Sequence, residues 1–207
     1  MINVMADPRV AAQWYISEGF RPIPVYGVKA NGTCCCGDSK CKPRDAGKHE
    51  PSETDGLWKS GLQLTPGDFR PGMNVALAMG PYTRREWLVC LDSDGRFPLS
   101  RHLGTLPPTM TAKSPRGMHH IFTVKPFAPL GNWVDCFQTK PGASLDLRYA
   151  RGRVVVQPSR GAFGAYRWLS LEKPAPLPQR AIDAILNNRR ERGLPVLETW
   201  ERDGKRP

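Results

Sequence analysis

Two aspartates close an apolar run at residues 87–94, Trp-Leu-Val-Cys-Leu-Asp-Ser-Asp. Side chains alternate across a strand, so Asp92 and Asp94 share one face and Ser93 takes the other. Paired carboxylates repel unless a cation lies between them. Hard ions such as Mg²⁺ or Mn²⁺ accept oxygen ligands and keep sites for water and phosphate. A solvated turn rich in Asp and Gly is the plainer account of the same residues. A third acid strengthens the metal reading. The run Ser144-Leu-Asp146-Leu-Arg148 alternates, with the leucines on one face and Asp146 and Arg148 on the other. An aspartate in an apolar strand is costly to bury alone. Arg148 offers one partner and a metal shared with Asp92 and Asp94 another; the residues alone leave both open.

Between these runs lies Lys113-Ser114-Pro-Arg116-Gly117-Met-His119-His120-Ile-Phe122. A basic, Gly-containing turn opens a strand in which Met118, His120, Phe122 and Val124 share a face. His119, Ile121 and Thr123 occupy the other. His120 therefore reads as a core histidine, and His119 as the one aimed into a cleft. Lys113, Ser114, Arg116 and the Gly117 backbone offer donors suited to phosphates.

Four of the six cysteines fall within eight residues, Cys34, Cys35, Cys36 and Cys41, and His49 follows. In a reducing compartment such clusters bind metal more often than they form disulfides. Thiolates and imidazole suit tetrahedral zinc, and Gly37 and Gly47 allow the turns that converge the ligands. Cys34, Cys36, Cys41 and His49 make the expected closed, structural site. Cys35 is the spare, though spacing alone lets it replace either neighbour. Cys90 and Cys136 sit among apolar residues and read as core.

The elements that must carry these groups follow from pattern. Asp7-Pro8 before Val10, Ala11, Trp14 and Tyr15 predicts a capped amphipathic helix, stopped at Gly19. Residues 21–28 predict an edge strand because prolines are tolerated there. Strands are predicted at 74–79, 87–94, 109–112, 118–124, 144–148 and 153–157, a short helix at 58–64, and a loop or helix from Gly95 to about Leu103. Pro-Ala-Pro-Leu-Pro at 174–178 reads as a stiff spacer before a final helix at 179–192. The mixture predicts α+β architecture.

The chain has 207 residues, with 30 Lys+Arg against 19 Asp+Glu for a net charge of +11, which points to a polyanionic partner. Its 40% apolar content sustains a core and excludes wholesale disorder. No apolar run approaches the roughly 18 residues of a membrane span. The first residues lack the basic and apolar regions of a secretory signal, so a soluble, intracellular protein is expected.

In order, the parts are a helix ending in Gly, Cys-x-Cys, Cys, Gly-Lys-His, an apolar strand ending Asp-x-Asp, Ser-x-x-Gly-x-His, and Leu-Asp-x-Arg before a valine-rich strand and Pro-Ser. Over residues 11–159 this order resembles the N-terminal primase-polymerase (prim-pol) domain of phage and plasmid replication proteins, of the archaeo-eukaryotic primase superfamily. The resemblance implies an RRM-like sheet, a second small α/β unit with a cleft between them, and an inserted zinc loop at 33–49. It implies a catalytic domain over 1–171, then a Pro-rich linker, helix and basic tail over 172–207. It also implies template-directed nucleotidyl transfer with two Mg²⁺ or Mn²⁺ ions at Asp92, Asp94 and Asp146, and His119 on the incoming triphosphate. Ser114, Arg116, Gly117, Lys113 and Arg148 stand beside it as nucleotide contacts. Partners so implied are a single-stranded template, a primer-template duplex, dNTPs with NTPs left open, and a helicase domain in a longer protein. Arg116 departs from the family's usual Gly, and Cys35 adds a thiol. A metal-dependent nuclease and a non-catalytic zinc module that binds nucleic acid share parts of this pattern.

Overall fold

The computed structural model describes residues 6–196, apart from 55, 57, 58, 60, 61 and 141 and the side chains of 138–140. In chain order the elements are α1 (Pro8–Ser17), β1 (Pro22–Val25), a single 3-10 turn (Pro66–Asp68), β2 (Asn74–Ala78), β3 (Gly80–Pro81), β4 (Trp87–Asp94), α2 (Leu99–Leu103), β5 (Met110–Lys113), β6 (Gly117–Val124), β7 (Trp133–Lys140), β8 (Ala143–Arg148), β9 (Arg153–Val156), β10 (Arg160–Gly161), β11 (Gly164–Ala165), β12 (Arg167–Ser170), β13 (Ala175–Pro176) and α3 (Gln179–Glu191). Contacts divide the chain into a first unit (Met1–Ala78, Ala112–Pro115, Arg153–Trp168) and a second (Met79–Thr111, Arg116–Gly152, Leu169–Pro207).

In the first unit, Asp7 caps α1 by accepting the Arg9 N–H at 2.7 Å, with Pro8 in the first turn where no N–H is needed. The chain leaves the helix through Gly19 at φ 84°, a left-handed turn that glycine adopts without strain. β1, β2 and β9 form an antiparallel sheet in that order, so the proline-bearing β1 lies at an edge, as the sequence predicts. Ile23, Val25, Ala76, Ala78, Val155 and Tyr166 are its buried cluster. The loop with the cysteines follows β1 and carries turns and bends instead of regular elements. The short helix expected at 58–64 lies partly outside the described residues, and 62–64 are irregular.

The second unit is built on an antiparallel sheet with strands in the order β5-β6-β4-β8-β7; β3 pairs with β4, and β13 runs parallel to β6. Alternation works as read. In β8, Leu145 and Leu147 are buried and Asp146 and Arg148 are half-buried. Leu91, Phe122, Leu145 and Leu147 enter a core that also takes Ala181, Ile182, Ile185 and Leu186 from α3. The proline-rich stretch before α3 is more than a spacer: Ala175–Pro176 adds β13, and Leu177 donates its N–H to Thr123 O at 2.8 Å. Of the linker, helix and basic tail expected over 172–207, residues 197–207 lie outside the described residues. Among the described residues, no helix is long and apolar enough to cross a membrane.

Candidate functional site

β4 is the middle of three neighbouring strands, and its acidic end is locked in register. Asp92 lies opposite His119 on β6 and opposite Asp146 on β8; Asp94 lies opposite Gly117 and Ser144. Residues directly opposed on one face hold their Cβ atoms about 4.5–5.5 Å apart. Asp92 thus has an imidazole on one side and a carboxylate on the other. Buried His119 brings Nε2 to 3.4 Å from Asp92 Oδ1. At Gly117 a Cβ would come 1.7 Å from Ser93 O, so only glycine lets β6 approach β4 beside Asp94.

Two arginines meet the acids. Arg116 Nη2 is 2.6 Å from Asp94 Oδ2. Arg148 places Nη2 at 2.5 Å from Asp146 Oδ2 and Nε at 3.9 Å from Asp92 Oδ2. The sequence left open whether Arg148 partners Asp146, and the geometry shows that it does. Even so, burial holds the Asp146 carboxyl above its ordinary range, against the pull of the Asp135 N–H and Arg148, and the Asp92 charge adds to the rise. The row therefore disfavours its own full charge. Asp92, Asp94 and Asp146 thus share one face, Asp92 and Asp146 directly opposed, but their carboxylate oxygens are not gathered within 4.8 Å of one another.

A feature missed in the sequence props Asp146. Between Trp133↔Leu147 and Phe137↔Leu145, four steps along β7 match two along β8. At this bulge Asp135 takes φ 49° and donates its N–H to Asp146 Oδ1 at 2.8 Å. Arg192, just beyond α3, donates through Nη1 to Asp135 O at 2.6 Å and Cys136 O at 3.1 Å. Arg189 lies 4.0 Å over the Trp133 ring. The available signal was the adjacent apolar pair Cys136-Phe137, which breaks the strand alternation and marks an extra residue.

His120 points to the face opposite His119, with Nδ1 3.4 Å from Thr111 Oγ1, but the expected burial is reversed: His119 is the buried histidine, among Ile121 and Thr123 on its face, and His120 is half-buried. Burial, with the His119 charge, pushes its pKa down to about 4. Lys113 ends β5 exposed and Ser114 follows it buried; both belong to the first unit.

The first unit carries the second constellation. One ligand atom each from Cys34, Cys36, Cys41 and His49 lies within 4.8 Å of all the others, the one such group among the described residues. His49 Nε2 is 3.2 Å from Cys34 Sγ and 3.4 Å from Cys41 Sγ. Bonds of about 2.0–2.3 Å in a tetrahedron place ligand atoms roughly 3.5–3.8 Å apart, so the set fits zinc. Gly47 makes the closing turn at φ 78° and points its N–H at Cys34 Sγ, 3.5 Å away. Burial raises the Cys34 thiol, yet hydrogen bonds from Gly47 and the neighbouring cysteines bring it below its ordinary value. Burial, with Cys36 and Cys34 beside it, pushes Cys41 up to about 12. Three crowded thiols cannot all ionise by themselves, and a soft dication removes the conflict. Cys35 is exposed and outside the group.

No curated protein matches the chain. The family of bifunctional DNA primase/polymerase N-terminal domains (Prim-Pol) matches residues 12–180, a span holding both the acidic row and the Cys/His loop. With most of its length so matched, the chain belongs to this primase/polymerase family, nucleotidyltransferase-type enzymes that act on DNA and nucleotides.

Proposed function

We propose that the chain is a template-directed DNA primase/polymerase of phage or plasmid replication, working in the host cytoplasm beside a helicase domain. The observation that carries this reading is the register of Asp92 with His119 and Asp146 across β6, β4 and β8, with Asp94 on the same face. Two divalent ions held by Asp92, Asp94 and Asp146 would activate the attacking 3′-hydroxyl and neutralise the departing pyrophosphate. Asp92 and Asp94, on one face at the end of β4, would hold both ions. Asp146 serves the hydroxyl side, one oxygen fixed by the Asp135 N–H and the other turned toward Arg148. His119, Arg116, Arg148 and the Gly117 backbone supply donors for the triphosphate of a dNTP or NTP. Catalysis then rests on positioning and charge neutralisation, with no covalent intermediate. The Cys₃His loop holds one structural zinc. Base pairing with a single-stranded template, or a primer-template duplex, selects the nucleotide.

Asp92→Asn and Asp146→Asn test this with little change of shape. Each should lower primer synthesis and primer extension by about 10³-fold, with zinc content and circular dichroism unchanged. Extension near the wild-type rate in either variant refutes the proposed site. Shortening of a labelled strand with Mn²⁺ and no dNTP would make the chain a nuclease instead.

A further inference from the structure

Beside the Cys/His loop, β10 and β11 form a two-residue hairpin with Ala162 and Phe163 at its tip. Such tips favour Asn-Gly or Gly-rich pairs. Here the tip carries a phenyl ring with 62% of its surface exposed. Arg160, on β10, and Arg167, at the start of β12, are exposed as well. The hairpin walls one side of a groove of about 480 Å³ whose other side is the loop, through Lys29, Asn31, Thr33 and Ser39. That volume lies within the roughly 300–1,000 Å³ of small-ligand sites. The one carboxylate lining it, Asp38, already accepts the Lys40 N–H at 2.8 Å.

The groove is fixed from beneath. Buried Asn74 donates to Arg160 O at 2.6 Å and to Gly47 O at 2.9 Å, and accepts the Arg160 N–H at 3.0 Å. One carboxamide therefore ties the hairpin to the turn that closes the Cys/His group. At Gly32 a Cβ would lie 3.6 Å from Ala162 O, ordinary contact, so loop and tip already touch. An exposed aromatic on a rigid support, flanked by cations, is what an unpaired base and its phosphates require. Every base offers a ring face, and the phosphates follow the positive charge.

We propose that the groove between the hairpin tip and the Cys/His loop binds single-stranded DNA, with a base stacked on Phe163 and phosphates along Arg160 and Lys29. The occupant is a single strand because duplex bases have no free face to offer the ring. This rests on DNA as a substrate of the family and is independent of the acidic row.

The test is fluorescence anisotropy of a labelled dT20 strand with the full chain, without nucleotides. Phe163→Ala should weaken binding about 5- to 100-fold, and Phe163→Trp should restore it. Arg160→Ala should lower the slope of log K against log[salt] by about 0.7. Val10→Ala, another exposed apolar position on α1, should bind as wild type, and zinc content should stay constant throughout. Phe163→Ala binding within twofold of wild type overturns the proposal, as does an equal loss on a blunt duplex. Asp92→Asn separates the two proposals. Lost extension with intact dT20 binding is expected, whereas normal extension in that variant refutes only the acidic row.

Discussion

Counting reactive thiols reads the Cys/His group directly. Six cysteines fall into three classes: Cys35 is exposed, Cys34, Cys36 and Cys41 gather with His49, and Cys90 and Cys136 are buried in the second unit. Metal-bound thiolates react slowly with a disulfide reagent. Buried Cys90 and Cys136 are slower still, because burial pushes Cys90 well above the ordinary thiol range and Cys136 up to about 12. Metal-replete protein should show one fast thiol, chelated protein four, and protein in guanidinium six. Order within the chelated set also follows. A thiol at about 12 has a thiolate fraction near 10⁻⁴ at pH 8, against roughly 0.1 for one near 9, a ratio of about 10³. Nucleophilicity rises with basicity and returns roughly a factor of 20, so Cys41 should lag an ordinary thiol about 50-fold. The assay is Ellman titration with zinc release followed in parallel. Cys35→Ser should remove the fast thiol and keep one zinc per chain; Cys41→Ser should lose the zinc. Three or more fast thiols in metal-replete protein, or zinc lost by Cys35→Ser, would refute the ligand set.

Arg192→Ala frees the carbonyls of the β7 bulge, so the Mn²⁺ concentration for half-maximal extension should rise several-fold while the dNTP KM holds. Arg192→Lys should recover part of the loss, and a changed KM with unchanged metal dependence would refute this positioning role. His120 ties stability to pH: its folded pKa of about 4 lies below the unfolded value near 6.5, so its contribution is complete above 6.5 and is lost as pH falls toward 4. The full span is about 3 kcal/mol. Denaturant melts of His120→Gln should be flatter between pH 7 and 4, and an unchanged slope would show that another group carries the acid sensitivity.

Much of the site was legible because strand alternation is strict where one face is buried. A one-residue slip of β8 would bury Asp146 and expose Leu145 and Leu147, so the pattern Leu-Asp-Leu-Arg fixes which face the acid takes. The same logic put His119 and His120 on opposite faces but misjudged their burial, because the face of His119 is itself covered, with Ile121 and Thr123 buried beside it. It failed at β7, where the extra residues of the bulge break the period and hide both the strand and the Asp135 N–H. It failed again at Ala175–Pro176. Proline argues against a strand only where its N–H would be needed, and β13 lies at the edge of its partner β6, where Leu177 supplies the next donor. Phe163 carried no signal at all, since a phenylalanine beside glycines reads equally as core or surface until the turn places it.

The acidic row also strains the sheet that holds it. Asp92 and Asp146 stand directly opposed, an arrangement that destabilises a ladder when both are charged. Replacing the pair by apolar residues would satisfy the sheet better. The chain instead keeps both acids and sets Arg148 against them, on the same strand and two residues from Asp146. Arginine is suited to that position because its forked donors reach two carboxylates at once and it stays charged at any working pH. A guanidinium on a flexible stem can leave the carboxylates without unfolding the strand, whereas an apolar filling could not. Burial first, and the Asp92 charge after it, still raise the Asp146 carboxyl against the pull of Arg148. On the proposed reading, a divalent cation beside the acids would offset part of that cost.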